Sequence, residues 1–242
     1  MVKLLVKRGI EIDGLHTGKD LDFLLISYSV GNPEVKTYTK EIPGRDGLLD
    51  CSEWLDNKIH YGNRLLSFRF FITANSKEEL KRKLDRINEY HGRYIKKLFI
   101  TDDKEYYYQG RATVAIEEEK GKYAYVIFEL NAQPYKLKKD ITVASQSFSV
   151  KTTLALSCSP MPTVPTAEIL FTAPSGSGIA VRITSGDKTA IIQENIKIEL
   201  SDFVLNGNTV LILETVTKQD DNWVLDEKAG AAVTFKYQEG RI

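Results

Sequence analysis

Apolar and polar side chains alternate most regularly between residues 111 and 128. There Ala112, Val114 and Ile116 interleave with Arg111, Thr113 and Ala115, and Tyr123, Tyr125 and Ile127 interleave with Ala124, Val126 and Phe128. A period of two predicts two strands, and Lys120-Gly121 between them supplies the turn of a hairpin with one apolar and one mixed face. Residues 21–30 and 65–73 are rich in aromatic and aliphatic side chains, alternate in part, and are bounded by turn-forming Gly and Asn, so they also read as strands. One segment has a different period. Leu80, Leu84 and Ile87 recur at helical spacing, Ser76 is placed to cap the N-terminus with Glu79 completing a capping box, and Gly92 is a stop signal, which predicts a helix over about 77–91. Its many charges include Glu79 and Lys83 at the i,i+4 spacing of a surface ion pair, so the polar face reads as solvated rather than as a nucleic-acid helix.

Past residue 139 the texture changes. Short β-prone runs at 167–171, 179–184, 196–200, 209–213 and 231–237 are separated by Gly, Asn, Asp and Ser turns such as Asn206-Gly207, and no stretch carries a helical apolar stripe. This spacing predicts an all-β sandwich. A stiff stretch with Ser157, Ser159, Pro160, Pro162 and Pro165 opens the second half. The chain is therefore expected to be mainly β with one α-helix, in two domains, 1–138 and 139–242.

Composition adds a charge asymmetry. The 242 residues contain 33 Lys/Arg and 33 Asp/Glu, but 1–138 hold 24 against 21 (+3) and 139–242 hold 9 against 12 (−3). Such weak fields give no steering towards nucleic acid. With 42% hydrophobic residues the chain can build ordinary cores. Its first ten residues lack a signal-peptide core, and no eighteen apolar residues run together, so secretion and membrane spanning are not expected. Cys51 and Cys158 lie far apart and read as inert thiols.

Candidate chemistry is sparse. His16, His60 and His91 match no metal-ligand spacing. Gly176-Ser177-Gly178 lacks the frame of a nucleophile elbow and reads as a turn, and no phosphate-cradling loop or dinucleotide fingerprint is present. Glu117, Glu118 and Glu119 alternate in direction along a strand beside Lys120 and Lys122, which suits a solvated hairpin end better than a glycosidase carboxylate pair. Tyr106, Tyr107 and Tyr108 suit a sheet packed on both faces better than a stacking platform. No catalytic residue, metal or cofactor is assigned.

The most informative segment is residues 41–50, where Pro43-Gly44 and Asp46-Gly47 place two turn-forming pairs within five residues and expose Arg45 between apolar flanks. Together with Tyr61-Gly62-Asn63-Arg64 leading into the 65–73 strand, it resembles the N-terminal domain of the siphophage distal tail protein family. The early Gly9 to Gly14 turn, the single helix, the 98–103 stretch before the 106–111 strand and the Pro134-Tyr135 close follow in that family's order, so the resemblance covers about 1–138. It implies an N-terminal β-sandwich or split-barrel-like ring domain and a C-terminal galectin-like, carbohydrate-binding-module-like β-sandwich. It also implies a virion structural protein at the phage tail tip, assembled in the host cytoplasm. That protein would be a homohexameric hub with the tail-tube protein on one face and the tail-associated lysin or fibre hub, and possible receptor-binding proteins, on the other, and with DNA passing unheld through its lumen. Pro43, Gly44, Arg45, Asp46, Gly47, Tyr61, Gly62, Asn63 and Arg64 are then candidate subunit or partner contacts. A different class of function, glycan binding by the second half, would draw on Trp223, Phe203, Phe171 and Tyr237 as stacking residues. Enzymatic action on cell-wall polymer is the weakest expectation.

Overall fold

The computed structural model describes residues 8–157, 161–171, 178–226 and 229–242. The fold is mainly β, with a single helix among the described residues. It divides into two compact units, one ending at Lys136 and one spanning Leu137–Arg241.

In the first unit β1 (Ile10–Ile12), β2 (Leu15–His16) and β3 (Phe23–Val30) precede a long excursion that carries β4 (Thr39–Glu41) and β5 (Leu48–Asp50). Then come β6 (Arg64–Thr73), α1 (Lys77–Asn88), β7 (Tyr94–Ile100), β8 (Asp103–Lys120) and β9 (Tyr123–Ala132). One antiparallel sheet runs β2-β1-β7-β8-β9-β6-β3, while β4 and β5 pair only with each other. The long strand β8 belongs to both halves of this sheet, pairing β7 up to Arg111 and β9 from Gly110 onward. Ile10, Ile12, Ile95 and Leu98 from one half share one core with Leu66, Phe68, Phe70, Val126 and Phe128 from the other.

Alternation sets which side faces that core. In β6, Arg64, Leu66, Phe68, Phe70 and Ile72 are buried, and in β9, Ala124, Val126, Phe128, Leu130 and Ala132 are buried. The register aligns Phe68 with Phe128 and Phe70 with Val126 across the strands, so these side chains meet as direct pairs. The hairpin expected at 111–128 is present with its turn after Lys120, and Ala112 and Val114 sit on the buried face. Tyr106, Tyr107 and Tyr108 are all buried: Tyr108 joins the core, while Tyr107 packs on Phe99 at a centroid distance of 5.5 Å.

Helix α1 lays Leu80, Leu84 and Ile87 onto this core. The Ser76 hydroxyl accepts the Glu79 amide at 3.1 Å, as the capping box requires, but the Glu79 carboxylate reaches back one residue further than expected and accepts the Asn75 amide at 2.9 Å. The helix ends at Asn88, three residues before the expected end. Its chain tightens into i→i+3 bonds, with the Tyr90 amide donating to Ile87 and the His91 amide to Asn88, and Gly92 then takes a φ of 75° that turns the chain away. Lys83 approaches Glu79 at 3.5 Å, the i,i+4 pair the sequence suggests, and also donates to the Thr73 carbonyl at 2.8 Å, tying the helix to the end of β6.

Strand β10 (Lys136–Lys138) lies at the division between the units. The second unit continues with β11 (Thr142–Phe148), β12 (Thr152–Ser157), β13 (Thr166–Phe171), β14 (Ile179–Ser185), β15 (Lys188–Ile192) and β16 (Lys197–Glu199). It closes with β17 (Asn208–Gln219), β18 (Asn222–Leu225), β19 (Ala231–Tyr237) and β20 (Gly240–Arg241). One sheet runs β11-β19-β13-β16 and a second β12-β17-β14-β15, with β18 added to β17. Ala167, Ile169, Val233 and Phe235 from the first sheet and Val181, Ile183, Leu211 and Leu213 from the second fill a common core, which makes this unit a β-sandwich. The Gly176-Ser177-Gly178 turn and Cys158 fall wholly or partly outside the described residues.

Candidate assembly surface

Residues 31–63, between β3 and β6, form an arm with a closed neck and an open tip. At the neck the Lys36 amide donates to His60 at 2.8 Å, the Gly62 amide donates to Glu34 at 2.7 Å, and Val35 bridges Tyr61. Further out, β4 and β5 pair Thr39 with Asp50 and Glu41 with Leu48. The Tyr38 amide donates to the Ser52 hydroxyl at 2.8 Å, and the Ser52 amide and hydroxyl donate to the Asp50 carboxylate, which holds that carboxyl below its ordinary pKa. Pro43, Gly44, Arg45, Asp46 and Gly47 make the β4–β5 tip, all exposed. Gly44 (φ 82°) and Gly47 (φ 76°) adopt the left-handed backbone that the two turns need, which is why both turn pairs end in glycine.

The two sequence-derived contact groups thus occupy opposite ends of one arm. Tyr61 and Gly62 belong to the neck, where the Tyr61 ring meets Tyr135 edge-on at 6.1 Å, and Asn63 is exposed. Arg64 is placed differently from an exposed contact. It is the first inward position of β6, so the alternation that buries Leu66 and Phe68 also carries Arg64 inside, where it is only 5% exposed. Its guanidinium lies 5.9 Å from the centroid of Tyr108, and its Nε and Nη2 are buried without a hydrogen-bond partner. Arg64 pairs in register with Ala132, which in turn pairs with Gly110 on the far side, where the β9 backbone passes so close that a side chain at 110 would meet the Asn131 carbonyl.

Sequence reading missed the arm's apolar side chains. Leu55 is fully exposed and Trp54 is 68% exposed, and Tyr38, Leu48, Val35 and Ile59 also face solvent. The signal was available: a Trp-Leu pair in a segment without strand or helix periodicity, flanked by Glu53 and Asp56, has no core to enter. A second apolar strip runs along β3, an edge strand of the sheet, whose Leu24, Ile26, Tyr28 and Val30 are exposed. An irregularity between Leu25 and Ser27 interrupts its pairing with β6, and the Tyr28 hydroxyl reaches Asp102 at 3.4 Å. Burial, followed by the Asp102 charge, raises the Tyr28 pKa.

The remaining candidates are engaged within the chain. Glu117 pairs with Arg69 at 2.7 Å and Glu118 with Lys120, as expected of a solvated hairpin end. Phe203 and Tyr237 are buried in the sandwich core and Phe171 packs against it, so Phe203 and Tyr237 offer no ring face to a sugar. Trp223 lies on β18, half-buried, with its carbonyl accepting from Arg182 at 2.6 Å.

No family profile matches this sequence, and no curated protein does. Among solved structures the chain is similar to SPP1 Dit (gp 19.1), described as a paradigm of the hub adsorption apparatus in phages that infect Gram-positive bacteria. The match has a TM-score of 0.58 at 14% identity and covers 97% of this chain and 99% of that one. The fold is Dit-like. Because coverage is nearly complete on both sides, the likeness embraces both units rather than one shared domain, and at this identity it is the fold that is established.

Proposed function

We propose that this chain is a structural, non-enzymatic virion protein, a homohexameric hub at the distal end of a long non-contractile phage tail or tail-like particle. One face of the ring would dock on the tail-tube protein, the other on the tail-associated lysin or fibre hub and host-adhesion proteins. The observation that carries this reading is the Dit-like fold over almost the whole chain. The arm and the β3 edge support it. A closed ring of identical subunits needs two different, complementary patches on each subunit. The arm's Trp54 and Leu55 and the β3 strip of Leu24, Ile26, Tyr28 and Val30 are two such patches, both apolar, both in solvent in the isolated chain. The first domain, proposed to build the ring, carries only a slight positive excess, 24 Lys/Arg against 21 Asp/Glu in 1–138, which suits a lumen that lets DNA pass without holding it.

Within this reading Pro43 to Gly47 form the protruding tip that sets register, with Arg45 and Asp46 as its charged pair, and Trp54 and Leu55 supply the adhesive area. Tyr61, Gly62 and Asn63 fix the arm's angle of departure. The test is light scattering of the purified chain across concentration, with negative-stain class averages of the same sample. Six-fold rings with a central hole are expected, and a stable closed dimer without rings would overturn the proposal.

A further inference from the structure

Tyrosines aside, the buried polar side chains among the described residues are Thr17, Arg64 and Thr215. Both threonines are satisfied: the Thr17 hydroxyl accepts the Ile10 amide at 3.1 Å, and the Thr215 hydroxyl donates to the Asp226 carbonyl at 2.8 Å. Arg64 differs. Its Nε and Nη2 make no hydrogen bond, although the more exposed Arg69, Arg111 and Arg182 each find an acceptor, in Glu117, the Gly92 carbonyl and Glu214.

A guanidinium keeps its proton in a protein, so its burial is not relieved by neutralisation, as that of a lysine or a carboxyl can be. The centroid of the Tyr108 ring, 5.9 Å from the guanidinium carbon, stands at the outer limit of a cation–π contact and leaves both N–H donors unmet. Taking such a charge out of water without a counter-charge is costly, and Arg64 takes part in no ion pair among the described residues. Nε and Nη2 lie on one edge of the planar group and aim their N–H bonds the same way. That edge is a fork matched by two oxygens of one acceptor, each taking one hydrogen. A monovalent carboxylate supplies both oxygens and the single negative charge. A halide offers one centre instead of two, and a phosphate dianion would bring one buried negative charge too many.

We infer that the Nε–Nη2 edge of Arg64 is a binding site for a small monocarboxylate. Arg64 opens β6 directly after the neck residues 61–63, so the site lies at the root of the arm. Both nitrogens are out of water, and entry takes a local opening at this end of the sheet. The site goes beyond the hub reading and holds whether or not rings form.

The test is thermal unfolding of the full chain in sodium formate or sodium acetate against sodium chloride at equal ionic strength, together with saturation transfer from the protein to formate. The unaltered chain is expected to gain stability as formate rises and to transfer saturation to it, with acetate displacing formate and chloride leaving it in place. Arg64→Lys keeps the charge without the fork, and Arg64→Met removes both. Each should weaken the apparent formate affinity about tenfold or more, while Arg45→Lys, at an exposed position, leaves it unchanged. Where an Arg64 variant fails to fold, the unaltered chain still decides, through displacement by acetate and not by chloride. The inference is overturned by no transfer at tens of millimolar formate, by chloride or phosphate displacing formate as well as acetate does, or by Arg64 variants that respond to formate as the unaltered chain does.

Discussion

Strand β6 and the arm that precedes it are adjacent in sequence and similarly rich in large apolar side chains, yet they dispose of them in opposite ways. In β6 every second residue from Leu66 to Ile72 is buried against α1 and the neighbouring strands. In the arm Tyr38, Leu48, Trp54, Leu55 and Ile59 are left in water. The difference is periodicity. Alternation in β6 sends apolar atoms to one side, where a core can collect them, whereas the arm's residues share no period and its pairing is limited to the short β4–β5 ladder and the bridge at its neck. What the core uses for stability, the arm leaves exposed to solvent.

The comparison can be broken at either end. The largest effect belongs to the core: Phe68→Ala should destabilise the chain by about 3–5 kcal/mol in denaturant unfolding, because a fully buried ring leaves a cavity between β3, β6 and β9. Arg64→Met should do the reverse. Replacing a buried guanidinium whose Nε and Nη2 lack partners with an apolar side chain of similar length is expected to raise the free energy of unfolding by roughly 1–4 kcal/mol, and a fall in stability would overturn this reading of Arg64. Removing the helix cap with Ser76→Ala should cost about 1 kcal/mol. The arm should respond least: Trp54→Ser with Leu55→Ser should alter the stability of the isolated chain by no more than about 0.5 kcal/mol, since neither side chain is buried.

A small pH effect sharpens the same contrast. The His16 Nδ1 accepts the Gly18 and Lys19 amides at 3.0 and 3.2 Å, and burial, followed by the Lys19 charge, lowers its pKa below 6.5. The unfolded chain therefore binds the proton more readily than the folded one. Stability from this group is complete above about pH 6.5 and declines as pH falls towards the folded value. His16→Asn should remove that slope from the unfolding midpoint measured between pH 7 and 5, whereas changes in the arm should leave it in place.

The legible parts of the sequence were those in which one period governs both local structure and burial. The 65–73 strand, the 111–128 hairpin and the capped helix could be read directly because their apolar positions match their own geometry. Strand β8 was legible only in pieces, since Tyr106, Tyr107 and Tyr108 are buried together where the strand passes from one half of the sheet to the other, and no single alternation survives that passage. Strand β11, with its Thr, Ser and Gln residues, is a strand through its pairing with β19 rather than its own composition. At the candidate surface the Pro43 to Gly47 turns were readable from local chemistry. The burial of Arg64 was not, because its inward position follows from the register of β6 with β9, and a charged residue at the end of a strand ordinarily faces water.

The arm's exposed apolar residues are proposed as an assembly surface. Sedimentation velocity on the unaltered chain and on the Trp54→Ser, Leu55→Ser double variant, at matched concentrations, tests it most directly. Ring-sized species are expected for the unaltered chain and folded monomers for the variant. Equal assembly by both chains would contradict it.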